Sequence, residues 1–374
     1  MKTPTIKPLP RHDEQARQDF VATWRQHLAA RVAPGNGRLY RERLLPEFVS
    51  QHQREPENMN EVRELMEAHP WYQFWSAMQR RSQEMMWDSV IGPARRVHED
   101  LVNTFQELAR ERPAGGTLKL DPNLPLPRYH AMADIHIQPG GYHTEYVDDD
   151  VAAGVLYETG LPIYIGGALG PDSDMLGQIL VQFARERGIE RPRRILDMGC
   201  AMGNSTLPWA NAFPDAEIHA IDVAAPCLRY GHARAEARGV AVHFSQQNAE
   251  ATRFPDDHFD LVVSHIMLHE TSRSALDQIL AESRRVLRPG GQMLHLDVPL
   301  AREPFDRFMS SWETIHNNEY FGRLLPDIDL VELGTAAGFA PENIELTHFD
   351  AGFSDEQRNY TDVHVAWPIL EGVA

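Results

Sequence analysis

Apolar residues along the chain change their rhythm twice. Over the first 111 positions they recur at helical spacing: Phe20, Trp24 and Leu28, then Trp71, Phe74, Trp75 and Met78 after Pro70, then Leu101, Phe105 and Leu108 within 94–110. Each set falls on one face of a helix. The spacing therefore predicts a helical N-terminal domain over 1–111, acting as a cap or as a dimerisation surface. Between Arg112 and Arg128 the pattern breaks, and Pro113, Gly115, Gly116, Pro122, Pro125 and Pro127 predict an extended connector. The next stretch, DIHIQPGGYHTEYVDDDVAAGVLYETGLPIYIGG, mixes short β-like runs with two glycine pairs and three consecutive aspartates. Residues 112–172 thus read as a connector, and their His, Tyr and acidic side chains favour a lid over an active site.

From about residue 173 strand-like and helical segments alternate. Strand-like runs fall at 194–198, 218–221, 241–244, 261–264 and 292–296, with helical segments such as 276–286 between them. This alternation predicts an α/β domain over 173–374, a doubly wound and mostly parallel sheet covered by helices on both faces. Two late runs, 344–348 and 364–367, are expected to close it as a hairpin-like edge.

Composition narrows the partners. The formal net charge is −18, and no basic patch interrupts it, since RPRR at 191–194 only precedes a strand. Such a field repels a polyanion, so a small-molecule substrate is expected and nucleic acid is not. No apolar run is long enough to span a membrane, and MKTPTIKPLPRHDEQ lacks the apolar core of a signal peptide. Two cysteines form no disulfide framework, which points to a reducing, cytoplasmic setting.

The chemistry concentrates in Ile195-Leu196-Asp197-Met198-Gly199-Cys200-Ala201-Met202-Gly203, a strand running into a glycine turn. In a doubly wound sheet such a turn lies at the carboxyl ends of the strands, where ligands bind, and glycine allows close backbone approach. Asp222 closes the next strand, where an acid binds ribose hydroxyls. A dinucleotide seat fits poorly, because Gly199-x-Ala201-x-Gly203 is not the GxGxxG spacing.

These residues resemble the class I S-adenosylmethionine-dependent methyltransferases, whose first motif is similar to ILDMGCAMG. Their later motifs resemble Asp222, QQNAEATRFPDDHFDLVVSHIMLHE and RRVLRPGGQMLHLD in the same order. The resemblance covers about 170–374 and implies a Rossmann-like sheet with S-adenosyl-L-methionine as cofactor. It also implies that Asp197 lies near the methionine amino group, with Gly199, Cys200, Ala201 and Gly203 forming the cofactor loop. Asp222 would hold the ribose, Val223 would pack on adenine, and Asn248 and Ala249 would meet the adenine amino group. Ser264 would lie beside the methyl group. Ala201 stands where the family often has glycine, and Asn248 where it often has aspartate.

Methyl transfer requires alignment and, for a protonated acceptor, a base. His265, His269 and Glu270 follow the fourth strand of the domain and are the candidate catalytic residues, with His269 as candidate base. Two histidines four apart are a weak metal signal, as is the His136, His143 and Glu145 group, and no metal is expected. Tyr142, Tyr146, Tyr157 and Tyr164 are candidate faces for the sulfonium. Trp312, His316 and Tyr320 are candidate substrate contacts. The leading expectation is methyl transfer to a small molecule, as in biosynthesis. One alternative keeps the cofactor but cyclises its aminobutyl arm, releasing methylthioadenosine. Another is a scaffold protein that binds the cofactor without catalysis.

Overall fold

The computed structural model describes residues 6–350 and 366–374. One eight-stranded sheet organises them. Its strands are β1 (Thr117–Lys119), β2 (Arg194–Met198), β3 (Glu217–Asp222), β4 (His243–Gln246), β5 (Phe259–His265), β6 (Leu287–Leu296), β7 (Ile344–Phe349) and β8 (Trp367–Val373). The spatial order is β1-β4-β3-β2-β5-β6-β8-β7. Neighbours from β1 through β6 pair in parallel, and β8 runs antiparallel to both β6 and β7. The order reverses at β2, so β2, β3 and β5 deliver their carboxyl ends to one crevice.

Each strand-like run in the second half becomes a strand. The two faces of the sheet bury separate apolar clusters, one around Ile195, Ile218, Leu261 and Leu294, the other around Leu196, Val262, Met293 and Leu370. This alternation along single strands is the period-two signal of a sheet covered on both sides. The last strand begins at Trp367, and residues 364–365 of the expected run lie outside the described residues. It inserts between β6 and β7, and the antiparallel β8–β7 pair closes this edge of the sheet in the expected hairpin-like way.

The connector departs from its sequence reading in two places. Thr117–Lys119 adds a parallel strand to the sheet edge, held by Thr117↔His243 and Lys119↔Ser245. The run read as β-like contains a helix, Ala152–Tyr164. It is buried on most sides between the Pro70–Arg96 and Ala225–Ala237 helices, and packing overrides the β preference of its Val, Ile and Tyr residues. A Cβ on Gly154 would sit 2.3 Å from Tyr230 Cβ, so only glycine lets this helix seat so deeply.

The N-terminal segment is helical, and its apolar faces are used within the chain. Met86, Trp87, Val90, Leu101 and Phe105 pack with Met202 and Tyr230 of the sheet region, and Tyr72 and Trp75 pack with Phe308 and Trp312. The buried stripes are shifted from those read in the sequence. Phe20, Trp71 and Phe74 are exposed, while Val21, Arg25 and Tyr72 are buried. Leu28, Trp75, Leu101, Phe105 and Leu108 are buried as expected. The 94–110 segment breaks at Val97, and its helix proper is His98–Glu111. Among the described residues no helix is long and apolar enough to cross a membrane.

Candidate active site

A cavity of ≈ 450 Å³ opens at the carboxyl ends of β2, β3 and β5, within the size range of small-molecule sites. Its lining joins the glycine turn to residues from the connector and from the Pro304–His316 helix.

The turn is built around two carboxylates. Asp197 is 1% exposed; Thr206 Oγ1 donates to its Oδ2 at 2.5 Å, and Oδ1 has no hydrogen-bond partner. Trp209 Nε1–H donates to His265 Nε2 at 3.2 Å. Indole nitrogen only donates, so His265 Nε2 holds the lone pair and Nδ1 carries the proton, 3.4 Å from Asp197 Oδ1. Asp222 accepts from Ala201 N–H at 2.8 Å and Ala224 N–H at 2.9 Å, one on each oxygen, which pins the turn to β3.

Gly199 (φ 70°) and Ala201 (φ 45°) both adopt left-handed backbone. A Cβ on Gly199 would lie 2.6 Å from Met267 Sδ. Ala201 is therefore more than a tolerated departure: an L-residue in this region costs about 1–2 kcal/mol. Ala201→Gly is expected to raise unfolding stability by about 1 kcal/mol in denaturant titrations while keeping the Asp222 contact.

Asp197, Gly199, Cys200, Ala201, Asp222, Val223, Asn248, Ala249, His265, His269 and Glu270 all line the cavity. Two expected cofactor residues do not. Ser264 is fully buried in a chain behind it, bonded to His295 Nδ1 at 2.7 Å, with His295 Nε2 bonded in turn to Ser283. Gly203 supports the turn from outside, packed against Phe244. Asn248 Oδ1 already accepts Glu250 N–H at 2.9 Å, so one lone pair remains for a ligand.

Beyond the turn lies an ion network. His269 Nδ1 donates to Asp297 Oδ1 at 2.7 Å, and Asp297 Oδ2 accepts Leu268 N–H at 2.8 Å. His269 Nε2 is 3.6 Å from Glu270 Oε1. Burial works to discharge His269, but Asp297 and then Glu270 outweigh it and hold the imidazole pKa well above its ordinary value. Burial likewise opposes ionisation of Glu270, and the histidines beside it, His269 first, hold its carboxyl below the ordinary value.

His136 continues the network from the connector, with Nε2 2.9 Å from Glu319 Oε1 and 3.4 Å from Glu270 Oε1. Its Nδ1 meets Tyr142 Oη. Its backbone is left-handed (φ 55°), and its carbonyl accepts from Gln83 Nε2 at 2.8 Å and Trp87 Nε1 at 2.9 Å. The N-terminal helices thus position a cavity residue of the connector. Burial would lower the His136 pKa, but Glu319 and then Glu270 push it up to about 9.

A folded pKa above the unfolded imidazole value stabilises the protein below about 6.5, and that contribution is lost as pH rises toward 9. The urea midpoint is therefore expected to fall between these pH values. His136→Gln is expected to flatten the fall, and an unchanged slope would contradict the pairing.

Several expected residues fall elsewhere. Tyr142, Tyr157 and Tyr164 line the cavity, whereas Tyr146 is 64% exposed. Glu145 pairs with Arg229, apart from His136, and among the described residues no group of His, Cys, Asp or Glu has metal-binding geometry. Trp312 is core, bonded to Ser76, His316 is 3.5 Å from the same Ser76 hydroxyl, and Tyr320 is exposed. Their neighbours Glu313 and Glu319 line the cavity instead. Both were missed, although Glu313 sits beside Trp312 on an apolar helix, where a carboxylate is costly to bury. Asp297 was also missed, although it follows the end of β6 much as Asp222 ends β3 and Asp197 stands next to last in β2.

The methyltransferase domain family matches residues 195–291. Demethylmenaquinone methyltransferase of Thermus thermophilus is 31% identical over 188 residues, covering 47% of this chain and 81% of that protein. The chain belongs to the class I S-adenosylmethionine-dependent methyltransferases. A second member, malonyl-[acyl-carrier protein] O-methyltransferase of Pseudescherichia vulneris, is 30% identical over 149 residues, covering 40% of this chain and 55% of that one. Phosphoethanolamine N-methyltransferase 2 of Haemonchus contortus, solved with S-adenosyl-L-methionine, aligns over 56% of each chain at 18% identity, with a TM-score of 0.42. The family match at 195–291 runs from β2 into β6 and leaves residues 1–111 of this methyltransferase outside it.

Proposed function

We propose that this methyltransferase moves a methyl group from S-adenosylmethionine to a small-molecule acceptor. The observation that carries the reading is that one cavity holds both the cofactor turn and the His136–Glu270–His269 network. The cofactor residues fit their ligand by an observation internal to the fold: Asp197 lines the cavity, and its buried Oδ1 makes no hydrogen bond, with only His265 Nδ1 nearby at 3.4 Å, which leaves it able to accept an ammonium group. Each Asp222 oxygen accepts one N–H and keeps a lone pair for a ribose hydroxyl. Val223 and Ala249 supply apolar surface for adenine, and Asn248 supplies an acceptor.

Bound S-adenosylmethionine supplies a methyl group already activated by its sulfonium. The protein's part is then alignment, exclusion of water and handling of a proton. Glu270 is the proton acceptor in this reading, because its carboxylate faces the cavity and stays ionised. His269 holds its proton between Asp297 and Glu270, so it positions Glu270 rather than serving as the base. His265 orients Asp197 toward the cofactor. The N-terminal helices and the 112–172 connector cap the cavity through Trp87, His136 and Tyr164.

The test incubates the purified protein with S-adenosylmethionine and a small-molecule extract, with products read by mass spectrometry. S-adenosylhomocysteine with a product one methylene heavier is the expected result. Methylthioadenosine with a cyclic amino acid would replace methyl transfer by intramolecular displacement. Cofactor binding without turnover would leave a scaffold protein.

A further inference from the structure

The lining of the cavity is unbalanced in charge. It carries five carboxyl groups, Asp197, Asp222, Glu270, Glu313 and Glu319, and neither lysine nor arginine. Two imidazoles beside them, His136 and His269, are held protonated, and His269 is already matched by Asp297 behind it. S-adenosylmethionine carries one net positive charge, from its sulfonium, ammonium and carboxylate, so it leaves the excess only partly neutralised.

Two of these carboxyls lie on the Pro304–His316 helix and the turn after it. Asn317 Nδ2 donates to Glu319 Oε1 at 2.6 Å, and His136 approaches the same oxygen. Glu313 is held less well: Asn317 bonds it, but its Oε2 is buried without any hydrogen-bond partner, and burial, then Glu319, push its carboxyl up to about 8. The charged groups that act on it are Glu319, His136 and Arg25. Arg25 is spent elsewhere, on Ser82 Oγ at 3.0 Å and the Tyr164 carbonyl at 3.1 Å. Aromatic rings of Trp87, Tyr157 and Tyr164 line the same cavity. A buried carboxyl kept neutral for want of a partner ionises, releasing its proton, when a cation is seated on it, so Glu313, near the Tyr164 ring, is a receptor for a cation. Glu313 and Glu319 also line a second cavity of ≈ 400 Å³, together with His269 and Val298, so a ligand seated there has room to extend.

We infer that the methyl acceptor is a small molecule bearing an aliphatic ammonium group, seated on Glu313 beside the Tyr157, Tyr164 and Trp87 rings. The inference rests on the methyltransferase reading and names the substrate class of that site. A neutral acceptor of the same shape offers Glu313 at most an uncharged hydrogen bond, and an anionic one repels it, so the site discriminates against both.

The test titrates n-butylamine, n-butanol and butyrate into the full-length protein saturated with S-adenosylhomocysteine, followed by tryptophan fluorescence. Butylamine is expected to bind about 10-fold or more tightly than butanol, since a hydrogen bond between charged groups is stronger than one from a neutral hydroxyl. Butyrate is expected to bind weakest. Glu313→Gln is expected to remove the preference for the amine while leaving S-adenosylhomocysteine affinity unchanged, and Glu313→Asp is expected to retain part of it. Equal binding of amine and alcohol overturns the inference, as does an amine preference that survives Glu313→Gln. Competition between butylamine and S-adenosylhomocysteine also overturns it, because the carboxylates would then serve the cofactor's own amino group. These outcomes leave the cofactor reading standing; failure of S-adenosylhomocysteine to bind removes both.

Discussion

Asp222→Ala is expected to weaken S-adenosylhomocysteine binding by about 10²-fold or more, the largest functional effect of any single change in the cofactor turn. Two losses combine. The ribose hydroxyls lose a charged acceptor, and hydrogen bonds to charged groups contribute about 1.5–3 kcal/mol each. The Ala201 and Ala224 amides lose the carboxylate that ties the turn to β3. Ala201 holds a left-handed conformation that its own side chain disfavours, so the freed turn has no reason to keep its shape. Asp222→Asn separates the two contributions. One amide oxygen still accepts an N–H, so this variant is expected to fall between wild type and alanine in a calorimetric titration.

Asp297→Ala is expected to cost about 3–5 kcal/mol of unfolding stability, as removal of one partner from a buried ion pair does. His269 is 5% exposed and would keep a buried charge with only Glu270 near it. The amides of Leu268 and His269 would also lose their acceptor. In the wild type the raised His269 pKa contributes stability below the ordinary imidazole range, and this fades as pH rises. Thermal denaturation from pH 6 upward should therefore show the penalty of Asp297→Ala shrinking at high pH. A penalty that is constant across pH would contradict the ion pair. Activity is expected to fall with it, because His269, which positions Glu270, loses its own anchor.

The sheet and the cofactor turn are the parts that a single sequence reveals, and the reason is local. Strands such as β2 and β3 are short apolar runs with an acid at or next to the end, and the turn needs residues of special backbone freedom in fixed order. The helical faces were harder. Phe20 and Trp71 have buried immediate neighbours, Val21 and Tyr72, and adjacent large apolar residues generate two overlapping stripes between which periodicity alone does not choose.

The acceptor side of the cavity was least legible. It is assembled from the Pro70–Arg96 helix, the connector and the Pro304–His316 helix, distant in sequence and joined only by contacts such as Gln83 and Trp87 to the His136 carbonyl. No spacing rule connects Trp87, His136 and Glu313. The tyrosine-rich connector marked the right region, and four of its five tyrosines line the cavity. Tyr146 looked equivalent in sequence and faces solvent, because the Asp150 carboxylate draws its backbone amide into a surface turn at 2.7 Å.

The central claim is that Asp197, Gly199, Asp222 and Asn248 surround S-adenosylmethionine. Calorimetric titration of the full-length protein with S-adenosylhomocysteine tests it most directly. Saturable one-to-one binding in wild type, lost in Asp222→Ala but retained in Ser264→Ala, is the predicted result. Absence of binding in wild type, or equal affinity in the Asp222 variant, would contradict it.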